Sequence, residues 1–88
     1  LQVTQLRKQE GEAFEKLTMA QNNLSSAEEN LRTATVGFEE GVIETNTALA
    51  AQTAWLKAHS EYIDAGIELQ MLAANLNKAE GNNHAQTK

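Results

Sequence analysis

The stretch Gly37-Phe38-Glu39-Glu40-Gly41-Val42-Ile43-Glu44-Thr45-Asn46-Thr47-Ala48-Leu49-Ala50-Ala51-Gln52 lies at the middle of the 88-residue chain and decides how the rest is read. Its two glycines interrupt a sequence rich in helix formers, and no proline occurs anywhere. Gly41 suits the left-handed C′ position that ends many helices. Thr45 or a neighbour suits the N-cap of the helix that follows. The spacing predicts a helix over 2–39, a turn over 40–44 and a second helix over 45–80. One unbroken helix is the alternative, because a glycine costs only about 1 kcal/mol in a helix.

Upstream of the turn, apolar positions alternate at spacings of three and four: Val3, Leu6, Ala13, Leu17, Ala20 and on to Leu31, Ala34 and Phe38. Glu10 is the polar exception, beside Gly11. A period of 3.5 is the signature of left-handed supercoiling. Alanine takes one core position, at 13, 20, 27 and 34, and a large residue the other, at 17, 24, 31 and 38. Small opposite large would let two helix backbones approach closely while the large side chains fill the gaps.

Downstream the scheme repeats through Ala48, Ala51, Trp55, Ala58, Tyr62, Ala65, Leu69, Leu72, Leu76 and Ala79. A second stripe joins it at Leu49, Leu56 and Ile63, widened by Ile67, Met71 and Ala74. A helix with one neighbour needs one stripe. Two stripes imply neighbours on two sides, as for a stave in a bundle or in a closed ring of helices. The expected fold is therefore all-α, a long antiparallel hairpin of coiled-coil type. As an isolated fragment it is expected to self-associate, an antiparallel dimer making a four-helix bundle. After Ala79, Gly81-Asn82-Asn83 is expected to end the helix and 82–88 to form a disordered tail.

Composition narrows the functions. Aromatics are 5% of residues, too few for a compact core, and a lone hairpin buries little apolar surface. Twelve acidic against seven basic residues leave a net charge of −5, which disfavours nucleic acid. It also disfavours a lipid-surface helix, which carries Lys and Arg on its polar face. Cysteine is absent, so disulfides and thiolate metal sites are excluded. No apolar run reaches the roughly 18 residues that span a bilayer. The chain starts at Leu1 with the heptad register running from Val3, as expected of an internal piece of a longer protein.

Catalysis finds no footing. There is no glycine-rich phosphate loop, nucleophile elbow or His-Glu zinc motif. Ser25, Ser26 and Ser60 lie on helices with no base placed beside them. His59 lacks a second ligand at helical spacing, and His84 falls in the tail, so neither a metal nor a cofactor is expected. Trp55 and Tyr62 occupy core positions, where packing is the expected role.

Several segments resemble one family. Ala27-Glu28-Glu29-Asn30-Leu31-Arg32 is followed by Gly37-Phe38-Glu39-Glu40-Gly41-Val42-Ile43 and then by Leu49-Ala50-Ala51-Gln52. In order and spacing these are similar to the TolC-like outer-membrane efflux proteins. Leu76-Asn77-Lys78-Ala79-Glu80-Gly81 is similar to that family's closing A-x-G. The resemblance implies a homotrimer with a β-barrel in the outer membrane and an α-helical barrel across the periplasm, each protomer supplying two hairpins. This chain would be the second hairpin, a passive export conduit and not an enzyme. Its tip, comprising Gly37, Phe38, Gly41, Val42, Ile43 and Glu44, would dock a membrane-fusion adaptor coupled to an inner-membrane pump. Many family tips carry Arg at Ile43, Ser at Glu44 and an acidic residue at Thr47, so those docking contacts do not carry over. Glu39, Glu40 and Glu44, gathered by a trimer, would form an acidic entrance favouring cations. A generic coiled-coil module, or the hairpin of an adaptor itself, is the competing expectation.

Overall fold

A computed structural model describes residues 2–86 of the chain, with side chains for 3–79. Helix α1 spans Gln2–Glu39 and helix α2 spans Thr45–Gln86. They lie antiparallel in a rod of 69 × 17 × 14 Å, a helical hairpin and not one unbroken helix. Among the described residues there is no strand.

The seam follows the period of 3.5. Ala13, Ala20, Ala27 and Ala34 of α1 are buried, as are Ala58, Ala65 and Leu76 of α2. Leu17, Leu24, Leu31, Trp55, Tyr62 and Leu69 are only half-buried, and among the described residues no side chain is completely enclosed. The alanines therefore form the line of closest approach, with the large side chains flanking it. Ala20 and Ala65 line one groove, so at that level small lies beside small rather than opposite large. Between them and the next alanine Leu17 lines a groove with Tyr62 and Leu69, large beside large. One heptad along, Ala13 shares a groove with Leu72, the expected small-against-large arrangement.

Electrostatics add little. Lys16 reaches from α1 to Glu68 of α2 at 3.4 Å, and Arg32 pairs with Glu29 along α1. All four side chains are largely exposed, where ion pairs contribute little against solvent screening. Trp55 stacks on His59 one turn along, centroids 5.0 Å apart.

Two expectations need correction. Phe38, the last large member of the α1 seam, is 46% exposed, because the chain turns away three residues later and the seam is open at that end. The second helix does not stop at Gly81. It continues to Gln86, so residues 82–86 are helical, while 87 and 88 lie outside the described residues. No proline forbids the continuation, and one glycine weakens a helix without breaking it.

Gly11 sits in mid-helix with nothing near the place a Cβ would occupy. Gly11→Ala should raise the stability of the hairpin by about 0.5–1 kcal/mol in urea unfolding at fixed protein concentration.

Candidate functional site

The tip is built by a complete Schellman closure. Val42 N–H donates to the Gly37 carbonyl at 2.8 Å, and Gly41 N–H donates to the Phe38 carbonyl at 3.0 Å. These are the six-to-one and five-to-two bonds of that motif, with Gly41 at C′. Gly41 has φ +77°, the left-handed region that a Cβ disfavours. Ile43 N–H adds a further bond to the Gly37 carbonyl at 3.1 Å. Helix α2 then starts from Glu44, whose carbonyl accepts from the N–H groups of both Thr47 and Ala48. The N-cap is therefore Glu44, next to the Thr45 that its chemistry favoured.

Val42 and Ile43, adjacent in sequence, part company. Ile43 folds back over Gly37. A Cβ on residue 37 would come within 2.5 Å of the Ile43 Cδ1 and 2.7 Å of its Cγ1, so the glycine makes room for the isoleucine. Val42 points away and is 78% exposed. Phe38 is also partly exposed at this end of the rod, as are Glu39, Glu40 and Glu44 in the same short segment. Thus Gly37, Gly41 and Ile43 build the turn, whereas Phe38, Val42 and the three carboxylates are its exposed side chains.

A second surface runs along α2. Leu49, Leu56, Ile63, Ile67 and Met71 are all exposed by 45% or more. Residues at 49, 56 and 63 sit one position past Ala48, Trp55 and Tyr62 of the buried seam, and position 67 lies four past 63. At 100° per residue the centre of this outer stripe is about 150° from the centre of the inner one. Among the described residues helix α1 shows no counterpart, since Phe14, Met19 and Val36 are exposed at scattered positions.

No protein-family model, curated protein or solved structure matches the chain. The described residues contain no helix long and apolar enough to cross a membrane, and no cluster of His, Cys, Asp or Glu able to hold a metal ion.

The sequence pattern marked the tip and the outer stripe. It missed the division of labour between Val42 and Ile43, whose only advance signal was a glycine six residues before the isoleucine. Gly37→Ala should forgo the stabilisation expected at Gly11, because Ile43 must be displaced. In an Ile43→Ala background the same change should stabilise by about 0.5–1 kcal/mol, a coupling that a double-mutant cycle in urea would measure.

Proposed function

We propose that the chain is a periplasmic hairpin of a trimeric outer-membrane efflux channel, a passive conduit whose tip docks a membrane-fusion adaptor. The observation that carries this reading is the pair of apolar faces on α2. An angle of about 150° between two neighbours equals the corner angle of a closed ring of about twelve helices. This match on α2 alone is what supports the reading, since α1 shows no second stripe among the described residues. A trimer with two hairpins per protomer supplies a ring of that size. A square bundle asks for faces nearer a right angle. The exposed side chains of Phe38 and Val42 support a docking tip, and the resemblance of the turn and flanking segments to TolC-like proteins supplies the context.

In that assembly Glu39, Glu40 and Glu44 would ring the periplasmic entrance, and the inner-membrane pump, not this piece, would select the substrate. Outside the assembly the hairpin would self-associate into a four-helix arrangement, since its outer stripe otherwise faces water. A coiled-coil module with some other partner is the second reading, favoured by the Ile43 and Glu44 departures from the common docking pattern.

Two measurements test the proposal. A cysteine introduced as Val42→Cys in the parent protein should cross-link in cells to a periplasmic adaptor. Its failure to do so, with the protein recovered away from the outer membrane, would favour the second reading. Channel conductance with Glu39, Glu40 and Glu44 all changed to Gln should show weaker preference for cations, and unchanged selectivity would remove the acidic entrance.

A further inference from the structure

The outer face of α2 is also complementary to itself, and we infer that the isolated chain forms a symmetric dimer through it, α2 against an antiparallel α2 of a second copy. The inference rests on the spacing of this face, and it stands or falls separately from the channel reading.

Along the outer face, positions 49, 56, 63 and 70 alternate with 53, 60, 67 and 74 at spacings of four and three, a second heptad seam. A two-fold axis between Glu61 and Tyr62 brings two such seams together layer by layer. Leu56 then meets Ile67 of the second copy, Leu49 meets Ala74, and Ile63 meets Ser60. Thr53 falls opposite Gln70, so the one fully polar layer is polar on both sides. The seam runs from Leu49 to Ala74, about 38 Å of helix.

Charge selects this register. Lys57 and Asp64 flank the seam on one side, both exposed and neither joined in an ion pair within its own chain. With the axis between Glu61 and Tyr62, Lys57 of each copy lies beside Asp64 of the other, giving two reciprocal pairs. Sliding one helix by a heptad in one direction sets Lys57 against Lys57, and in the other direction Asp64 against Asp64. Each slip replaces attraction by repulsion at the symmetry axis.

Gly66 lies within the continuous helix α2, half-buried beside a groove it lines with Leu17, and a Cβ there would have nothing within 4 Å. In the dimer it lies opposite position 59 of the second copy, on the other flank of the seam.

The resulting order of helices is α1, α2, α2, α1 in an open layer, not four helices around a common core. That follows from the angle of about 150° between the two faces of α2, and from the polar outer side of α1.

Sedimentation equilibrium of the purified chain at micromolar concentration provides the test. The unaltered chain should be dimeric. Lys57→Asp alone or Asp64→Lys alone should weaken the dimer by about tenfold, because symmetry counts each change twice. The two changes combined in one chain should restore affinity. A monomer throughout this range would overturn the inference. So would a dimer indifferent to the single changes, or one that the combined change fails to restore. Independently, chains carrying Ser60→Cys mixed with chains carrying Ile63→Cys should form a mixed disulfide dimer, whereas Thr18→Cys on the outer side of α1 should not link. Efficient linking through position 18 would place the interface on the wrong helix.

Discussion

Two long helices lie close in this protein because alanine recurs at every seventh position on the faces that meet. With Ala13, Ala20, Ala27 and Ala34 on one side and Ala58 and Ala65 on the other, the backbones approach and the larger side chains are displaced to the flanks. Close approach has a cost in burial. Leucines and aromatics on the flanks keep part of their surface in water, and no described side chain is fully enclosed. A hairpin built this way has a thin core and marginal stability alone. The surplus apolar surface of α2 follows from the same design, since further packing is what such a pair of helices lacks.

Register along so uniform a seam needs another source. No polar side chain is buried among the described residues, so no buried side-chain hydrogen bond pins one level against another. The turn does this instead. Its backbone bonds fix where α1 ends, and Ile43 seated on Gly37 sets the path into α2. The Lys16–Glu68 pair, far from the turn, agrees with that register but is too exposed to impose it.

How legible this was in the sequence differs from feature to feature. The alanine seam and the exposed second stripe could be read because a period of 3.5 is a direct consequence of helix geometry. The end of α1 could be read because a left-handed C′ residue is nearly always glycine or asparagine. Which of Val42 and Ile43 would be covered could not, since it depends on the path of three backbone bonds. Nor could the pairing of Ala20 with Ala65, because a heptad pattern on each helix leaves their relative phase open. The continuation past Gly81 was misjudged for a different reason: glycine followed by asparagines resembles a helix stop, but only a proline compels one. As for the site, the residues of the turn could be named in advance, because the glycines and the break in the heptad register mark it.

The tip carboxylates have a consequence that comes from the backbone and not from their number. Glu39 and Glu40 sit at the carbonyl end of α1, where the aligned peptide dipoles already concentrate negative charge, and the last turn offers no basic side chain to offset it. Glu44 occupies the opposite situation, at the amide end of α2. Negative potential is therefore unevenly spread around the tip, strongest on the α1 side. A lysine or arginine brought there by a partner would relieve an existing repulsion as well as form a new pair, so the hairpin end favours a cationic visitor on one side of its turn over the other.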